Sequence, residues 1–479
     1  MIITGTRRPS PPVPARPARR WPSLVAGIVA TLVCVAGSST VSHSSDELAT
    51  LGAARRSAGG LWELALHIDG HFLPYYAFMH LWLEFGQAEW WMRLPSALGV
   101  GVATALIADL GRRLGSWPAG LAAAAVYVAL PSVSYHGQNA RSYAFAAAAA
   151  VLATWALHRA VEEPGRRRGW WGYAAAVALL GCTQVFALLV AVSHLAAVAL
   201  YGRGVLPRAL TCLAAGFVPG AVLAAAGFAE RHAISWITLP GPGVFLALPR
   251  MIGGTALAGG ALLLLAAAAP FLRRHGADRL WVALLACWAL LPPLLLFATS
   301  HLITPVYVDR YLFATVPAYA LLAGLALAAL PRPPAGLALA GVLAAGFPGQ
   351  LDVRGEDGHH ENYPRAARIL AAEARPGDAL VYGRSSLRQG LLYYGGEGLP
   401  DDVMLAGPDP LPDSFGYPEH ADLAAALTGR DRVWVIWRGG SEAAARVARV
   451  AVLREEGFVR AKAWRTGRVP GMTVALYTR

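Results

Sequence analysis

Charged residues are scarce in this chain. They make up 15% of its 479 residues, whereas an ordinary globular chain carries roughly 25%. Hydrophobic residues make up 56% of the sequence. This balance excludes a disordered chain, a coiled coil and a simple soluble enzyme. It favours a polytopic membrane protein, because several apolar runs reach the ~20 residues needed to cross a bilayer.

Cysteine and lysine are also rare. The four cysteines lie inside apolar runs and none has CxxC spacing, which argues against a zinc site or a disulfide framework. They are Cys34, Cys182, Cys212 and Cys287. A single lysine stands against 40 arginines. We attribute that bias to codon composition and attach no mechanism to it.

The net charge of +12 belongs entirely to one part of the chain. Residues 1–349 hold 24 arginines and 12 acidic residues, whereas residues 350–479 hold 17 basic and 17 acidic residues. In a soluble protein such an excess would suggest a nucleic-acid partner. Here it lies between apolar runs, where basic loops orient membrane helices. We therefore expect no nucleic-acid partner.

The apolar runs predict about eleven transmembrane helices. Residues 1–20 are rich in proline and arginine and are predicted to be a disordered cytoplasmic tail. The run 21–41 is too long for the apolar core of a cleaved signal peptide, so we interpret it as a signal anchor and first span. A polar first loop, 43–91, follows. Further spans are centred near residues 102, 125, 148, 177, 193, 218, 262, 289, 320 and 341.

Arginine distribution predicts the orientation of these helices. With the N-terminus inside, the inner segments carry 17 arginines and the outer segments up to residue 349 carry seven. This asymmetry fits the positive-inside rule. An odd number of spans then places residues 350–479 outside. The run 72–85 is too short to cross, so we interpret it as an interfacial or re-entrant helix.

The tail, residues 350–479, has a different character from the rest of the chain. Short apolar, β-rich runs at 379–382, 431–437 and 472–477 predict strands, and residues 441–456 predict a helix. Alternating strands and helices suggest a small extracytoplasmic α/β domain. No glycine-rich phosphate loop separates a strand from a helix there, so a nucleotide site is not supported.

Two adjacent carboxylates, Asp46 and Glu47, open the first outer loop. A carboxylate at a membrane surface can serve as a general base, a metal ligand or a helix N-cap. The cap interpretation applies to Asp46, because a helix-like run begins at residue 48.

A second candidate segment contains His67, Asp69 and His71. The two histidines are four residues apart, a spacing that can hold a metal on a helix. However, Gly70 and Pro74 argue against a regular helix. A polar, substrate-facing loop with Asp69 and ordinary interfacial hydrogen bonding are the other interpretations.

Two arginines are candidates for an anionic ligand. Arg141 stands among amides and aromatics in the outer loop 134–143, and Arg310 follows Asp309 at the start of a late span. Guanidinium matches phosphate oxygens in a bidentate way. The alternatives are a snorkelling arginine at a helix end and a simple ion pair of Asp309 with Arg310 or Arg141.

In order along the chain, these residues resemble a known superfamily. The set comprises Asp46-Glu47, then Asp69-Gly70-His71-Phe72-Leu73-Pro74-Tyr75-Tyr76, then segments 93–97, 112–115, 137–143 and 309–311. Together they are similar to the GT-C superfamily, in particular to bacterial glycosyltransferase family 39-like proteins. Relatives there include protein O-mannosyltransferases and lipid A aminoarabinose transferases. The match covers the first 150 residues well and the middle weakly; residues 234–237 also resemble bacterial mannosyltransferases.

This resemblance implies a GT-C-like fold and a function. It implies an integral-membrane glycosyltransferase of the bacterial inner membrane that moves a sugar, with mannose the first candidate, from a polyprenyl-phosphate donor. The acceptor is a protein, lipid or glycan on the outer face. Phe72 stands where the family usually has a second proline, which leaves the acceptor class open.

The resemblance also implies roles for individual residues. Asp46 is the first candidate for the base, with Glu47 beside it and Asp69 as the second candidate. Arg141, Arg310 and Tyr311 would hold the donor phosphate. The substrate-binding candidates are His71, Tyr75, Gln138, Asn139 and Tyr143. No metal ligands are assigned, and a divalent cation is left open.

Two other classes of protein were weighed. A transporter or flippase of a lipid-linked or anionic substrate predicts charged or unwound segments at mid-membrane and repeated halves. The sequence shows no convincing internal repeat, and its charges lie near helix ends. A scaffold protein would account for the tail but not for the clustered outer motifs.

Overall fold

The computed structural model describes residues 21–272, 279–468 and 471–479. The predicted disordered tail, residues 1–20, and most of the basic loop 273–279 lie outside the described residues. The N-terminal half contains α1 (Trp21–Val35), α2 (Ser45–Ala54), α3 (Ala58–Ala65), α4 (Leu73–Leu83), α5 (Glu89–Leu114), α6 (Trp117–Ala129), α7 (Pro131–Gly137), α8 (Tyr143–Glu162), α9 (Arg167–Thr183), α10 (Leu188–Tyr201) and α11 (Leu206–Ala229). It is followed by α12 (Val244–Gly253), α13 (Ala256–Leu272), α14 (Arg279–Leu302), α15 (Val316–Ala329) and α16 (Arg332–Val353).

Each of the eleven predicted span centres lies within one of these helices. Within the described residues, six helical segments are long and apolar enough to cross a bilayer: Glu89–Leu114, Tyr143–Glu162, Arg203–Ala229, Arg279–Leu302, Asp309–Ala329 and Arg332–Val353. Two bent pairs, α6 with α7 and α12 with α13, raise the number to eight. The helices α1, α9 and α10 have 15, 17 and 14 residues, short of the ~20 that cross a bilayer. The count of eleven spans therefore stays a prediction.

Small residues let the long helices approach one another closely. A Cβ atom on Gly120 of α6 would lie 2.1 Å from the backbone oxygen of Ala108 in α5. Between α12 and α13, Gly254 has a φ of +83°, and a Cβ there would lie 2.5 Å from the backbone nitrogen of Ser132. Close backbone contact is a main source of packing between apolar helices, where water drives no burial.

Within the described residues, the strands lie in the tail. They are β1 (Ala379–Tyr382), β2 (Asp401–Asp402), β3 (Arg432–Arg438), β4 (Val459–Thr466) and β5 (Met472–Thr478), and the helices are α17 (Tyr363–Glu373), α18 (Arg388–Tyr394), α19 (Leu423–Ala426) and α20 (Ala448–Glu455). The sheet order is β2-β1-β3-β5-β4. β1 is parallel to β2 and β3, whereas β5 is antiparallel to β3 and β4.

The three predicted strands correspond to β1, β3 and β5, but the predicted helix 441–456 is interrupted. A 3₁₀ turn, Ser441–Arg446, precedes α20, and Val447 between them is extended. β4 was not predicted because its residues alternate charge with alanine and lie mostly exposed at a sheet edge. α16 continues to Val353, past the predicted boundary at 349. The division of the chain into separate domains stays a prediction.

The sheet is covered on both faces. One face packs on α19 and α20 through residues such as Val433 and Val435. The other face, with Trp434 and Ile436, shares a core with α2, α3 and α4 of the first loop. This shared core fixes the position of α2 between the membrane helices and the tail.

Candidate active site

The start of α2 is defined by a capping box. The Ser44 hydroxyl accepts the Glu47 N–H at 3.3 Å, and the Glu47 carboxylate accepts the Ser44 N–H at 3.0 Å. Two backbone donors that a helix start leaves unpaired are thereby satisfied. Ser44 is therefore the N-cap, and the cap interpretation of Asp46 is wrong. Asp46 lies in the first turn, and its carboxylate does not cap the helix.

Glu47 is fully buried and surrounded by donors. Arg93 of α5 donates to both of its oxygens, Nε at 2.7 Å and Nη2 at 2.9 Å. The Ala140 N–H donates at 3.0 Å, and His359 Nδ1 lies at 3.3 Å. Burial opposes the charged form, but Arg93 and the other donors outweigh it, so the pKa of Glu47 lies well below its usual value. The ion pair and hydrogen bonds of Glu47 thus link four segments, and its buried carboxylate is not exposed to a substrate.

Arg93 belongs to segment 93–97 of the resemblance, but the sequence assigned it no role of its own. Its guanidinium also donates to the carbonyl oxygens of Ser38, Val41 and Ser42. These bonds connect α5 to the segment between α1 and α2. A signal was present, because an arginine near the end of an apolar helix needs a specific partner. The partner, Glu47, is 46 residues away in sequence.

Asp46 points the other way, towards open space. Its side chain keeps 41% of its surface exposed, and its Oδ2 lies 3.7 Å from Arg310 Nη1. Burial of the carboxyl favours the neutral form, but Arg141, Arg310 and Arg438 outweigh it and hold the pKa of Asp46 below its usual value. The side chain is therefore an accessible carboxylate that is ionised at neutral pH.

Arg141 lies behind Asp46 rather than beside it. It is buried, donates from Nη1 to the Tyr76 hydroxyl at 2.8 Å and reaches the backbone oxygen of Asp46 at 3.4 Å. Its guanidinium also packs over the Phe72 ring at 4.2 Å. The Tyr76 hydroxyl in turn donates to Asp69 Oδ2 at 2.7 Å. Asp69, Tyr76 and Arg141 therefore form a hydrogen-bonded chain beneath the helix start.

The turn that carries Asp69 is supported from α11. Asp69 has a φ of +59°, in the left-handed region that short polar side chains tolerate better than others. Glu230, directly after α11, accepts the next N–H, that of Gly70, at 3.0 Å. The Asp69 carboxylate is thus held in place against Tyr76 and does not line the open space in front of Asp46.

The two histidines of this segment do not share a helix. His67 follows α3 and its Nδ1 donates to the Glu63 carbonyl at 2.9 Å. His71 lies in a 3₁₀ turn, Gly70–Phe72, with its ring 4.2 Å from that of Phe72. Among the described residues, no group of three or more histidine, cysteine, aspartate or glutamate side chains could hold a metal ion. The two histidines therefore do not form the helical pair that was one alternative for this segment, and Gly70 and Pro74 had already argued against it.

Arg310 is held by aromatic rings. Its guanidinium lies 5.2 Å from the centre of the Trp236 ring and 5.8 Å from that of Tyr311. Tyr311 is buried and stacks on Phe186 at 4.6 Å. Asp309 accepts the backbone N–H of Arg310 at 2.7 Å, while the guanidinium faces Asp46. The alternative in which Asp309 pairs with a guanidinium is therefore wrong.

A cavity of about 1260 Å³ lies in front of Asp46. Four of the predicted site residues line it: Asp46, Asn139, Tyr143 and Arg310. The others lie outside the lining: Glu47, Asp69, His71, Tyr75, Gln138, Arg141 and Tyr311. Gln138, for example, donates to the carbonyls of Cys34 and Ala36 at 2.9 and 2.8 Å, which is a structural role. Tyr75 packs edge-on against Phe145.

Several cavity residues were not expected from the sequence. Arg250 comes from α12, Asp352 from the end of α16, and Arg465 and Arg468 from the tail. The cavity is therefore enclosed jointly by the helical part and by the tail. A volume of this size exceeds that of a typical small-ligand pocket, roughly 300–1,000 Å³.

The chain resembles a known class of membrane proteins in sequence and in fold. Residues 73–229 match the family model described as dolichyl-phosphate-mannose-protein mannosyltransferase. The fold is that of GT-C glycosyltransferases, and the resemblance expected from the sequence is confirmed. No curated protein sequence matches the chain.

Three solved structures illustrate the likeness. ArnT from Cupriavidus metallidurans bound to undecaprenyl phosphate has a TM-score of 0.58 at 16% identity, covering 96% of this chain and 98% of that chain. The same protein in the apo state has a TM-score of 0.57 at 15% identity, covering 95% and 97%. An oligosaccharyltransferase from Archaeoglobus fulgidus, tethered to an acceptor peptide, has a TM-score of 0.50 at 13% identity, covering 92% and 71%. At these identities the likeness is one of fold.

Proposed function

We propose that this protein is a glycosyltransferase of the bacterial inner membrane, which transfers a sugar from a polyprenyl-phosphate donor to an acceptor on the outer face. The observation that carries the proposal is the pair of Asp46 and Arg310 on the wall of a large cavity. ArnT bound to undecaprenyl phosphate supports the donor class through its shared fold. Mannose is the first sugar to test, since the family model names it.

The proposed chemistry follows from the charges in the cavity. The bond between the sugar C1 and the phosphate oxygen breaks, and a bond from C1 to the acceptor oxygen forms. Asp46 takes the proton of the acceptor hydroxyl as a general base. Arg310 stabilises the charge that grows on the leaving phosphate. A direct displacement of this kind inverts the configuration at C1, as the family resemblance implies.

The contacts of the remaining candidate residues support different roles for them. Arg141 is buried behind Asp46 and acts on the site by its charge and by positioning, with Tyr76 and Asp69 as its supports. Glu47 acts through the fold, because its oxygens are occupied by Arg93 and by backbone donors. Asn139 and Tyr143 face the cavity and are the proposed substrate contacts.

A transfer assay with purified full-length protein in nanodiscs tests this function. The donor is undecaprenyl-phosphate mannose with labelled sugar, and the acceptor source is a cell-envelope fraction. Asp46→Asn should lower transfer about a hundredfold or more, as expected for loss of a general base. The matched control is Glu84→Gln, which removes an exposed carboxyl from the same outer loop.

The outcomes of this assay separate the candidate functions. Wild-type activity in Asp46→Asn, with Asp69→Asn inactive, would move the base to Asp69. No cleavage of the donor in this assay, together with movement of the intact donor across the bilayer of proteoliposomes, would support the transporter alternative instead. A chelator added to the same assay tests the divalent cation left open by the sequence.

The proposed orientation has its own test. A cysteine introduced at Ser441 in the tail should react with an impermeant thiol reagent in intact cells. Protection at residue 441, together with labelling of a cysteine introduced at Arg166, would place the cavity on the cytoplasmic side. That result would contradict an outer-face reaction.

A further inference from the structure

The tail reaches the residue directly before Asp46. The Ser45 hydroxyl donates to Glu361 Oε1 at 2.9 Å. Arg438 donates from Nη2 to the same Glu361 oxygen at 2.6 Å and also to the Ser45 hydroxyl. Arg438 is the last residue of β3, the central strand of the sheet. The guanidinium of the last residue of β3 therefore lies at the first turn of α2.

Other bonds fix the surroundings of that turn. His359 lies 3.3 Å from Glu47, and the Tyr363 N–H donates to the Ser42 hydroxyl at 3.2 Å. At the far end of α2, Arg56 donates to the carbonyls of Leu411 and Pro412 at 2.9 and 3.1 Å. Both ends of α2 are thus bonded to the tail. The tail has no freedom to move away from Asp46 without breaking these bonds.

We propose that the tail is a working part of the active site, in which Arg438, held by Glu361, positions Asp46 through Ser45. This inference rests on the proposed function and deepens it, since it gives the tail a role in the reaction. Arg438 is a positioning residue here, because its contacts are to Ser45 and Glu361 and it does not line the cavity.

Arg438 has an electrostatic effect as well as a geometric one. It is one of three cations, with Arg141 and Arg310, that hold the pKa of Asp46 below its usual value against the effect of burial. The other titratable groups that act on Asp46 are Glu47 on the same helix, Tyr135, His136 and Tyr143 around α7 and α8, and Tyr311 before α15. Of these three cations, Arg438 is the one that belongs to the tail.

A purely structural role for Arg438 is the competing explanation. The Arg438 side chain is 47% exposed, whereas that of Glu361 is 7% exposed. Without Arg438, the Glu361 carboxylate still accepts the Ser45 hydroxyl at 2.9 Å, which limits the cost of removing its cation. Removing Arg438 should therefore leave the protein folded. The effects of Arg438 on the position and the pKa of Asp46 can therefore be measured in a protein that is still folded.

The test compares four variants of the full-length protein in nanodiscs: Arg438→Ala, Arg438→Lys, Glu361→Gln and the control Arg446→Ala. Arg446 is exposed in the 3₁₀ turn that follows β3, and no ion pair of Arg446 occurs within the described residues. One arm measures turnover of undecaprenyl-phosphate mannose against pH. The second arm measures hydrogen–deuterium exchange of peptides that cover residues 44–50.

We expect Arg438→Ala to lower kcat about tenfold with little change in KM for the donor, as for a small misplacement of a catalytic group. Loss of the cation raises the pKa of Asp46, so the acid limb of the pH profile should move to higher pH. Exchange at residues 44–50 should rise. Arg438→Lys keeps the charge and should keep the acid limb near its wild-type position, and Arg446→Ala should match the wild type.

Each other result has a defined meaning. Faster exchange in Arg438→Ala with an unchanged kcat and acid limb would reduce the tail to a structural support and overturn the proposal. An acid limb that moves as far in Arg438→Lys as in Arg438→Ala would overturn the charge effect. If Arg438→Ala does not fold, Glu361→Gln loosens the same arginine without removing its charge, so it should lower kcat and raise exchange at residues 44–50 without moving the acid limb to higher pH; an unchanged kcat there would overturn the proposal. If wild-type protein consumes no donor, the proposed function fails, while the exchange arm still tests the bonds of the tail to α2.

Discussion

Charge is organised differently in the helical part, residues 21–349, and in the tail, residues 350–479. Around the start of α2, a few ionisable groups form one connected cluster: Asp46, Glu47, Arg93, Arg141 and Arg310. The tail also buries Arg388, which pairs with Asp402 and Glu419, but many of its ion pairs lie on the surface, for example Arg430–Asp401, Lys462–Glu373 and Arg479–Glu456. Where charge is rare and buried, each partner is specific and its loss is costly. Where charge is common and exposed, single pairs contribute little.

The buried pair of Glu47 and Arg93 should show the largest effect. Glu47→Gln leaves the Arg93 guanidinium buried without a counter-charge, and breaking a buried pair in this way costs about 3–5 kcal/mol. We expect a marked fall in the midpoint of thermal unfolding of the protein in detergent. The measurement is a melting curve at fixed detergent concentration. An unchanged midpoint would show that the cluster has no special energetic weight.

The dependence of folding stability on acid pH also tests the contribution of Glu47. The pKa of Glu47 is lowered in the folded protein, so its ionised form contributes stability above the pKa of the unfolded chain. That contribution is lost as the pH falls through the folded-state pKa. Glu47→Gln should therefore lack this part of the acid dependence, whereas the control Glu84→Gln should retain it.

Arg310 should show an intermediate effect, on binding rather than on folding. Arg310→Ala removes the guanidinium that faces the cavity, and donor affinity should fall by about thirtyfold, equivalent to about 2 kcal/mol. Arg310→Lys should recover only part of this, because lysine lacks the planar fork. Binding of undecaprenyl phosphate to nanodisc-embedded protein is the measurement.

The control for this prediction is Arg231→Ala in a predicted outer loop. Arg231 is exposed, packs over Phe228 and donates to the Phe228 carbonyl. Its removal should leave donor affinity unchanged. Equal losses in Arg231→Ala and Arg310→Ala would indicate a general effect of surface charge on the lipid phosphate and would contradict a specific site.

A surface pair of the tail should show the smallest effect. Lys462→Ala removes the partner of Glu373, where the two side chains keep 57% and 39% of their surface exposed. We expect a change of at most about 1 kcal/mol in the free energy of unfolding, and no change in donor binding. A loss as large as that of Glu47→Gln would remove the distinction between the two regions.

Some members of the candidate site were predictable from the sequence, but their arrangement was not. Asp46 and Arg310 were recognised as polar groups at helix ends, and the structure places them 3.7 Å apart. Glu47 and Gln138 were recognised by the same reasoning, yet their side chains bond inward to Arg93 and to backbone carbonyls. Adjacent residues on a helix point in different directions, so sequence proximity of Asp46 and Glu47 did not reveal which one faces the cavity.

The sequence by itself determined the helices, because an apolar run of sufficient length has few other ways to satisfy its backbone in lipid. It also determined β1, β3 and β5, whose buried positions require apolar, β-rich residues. Only the tertiary structure decided the edge strand β4 and the joining of the tail to α2. Ser45 and Arg438 are 393 residues apart, and no local pattern records a contact over that separation. Their meeting depends on the sheet packing against the first loop, which is a property of the folded chain as a whole.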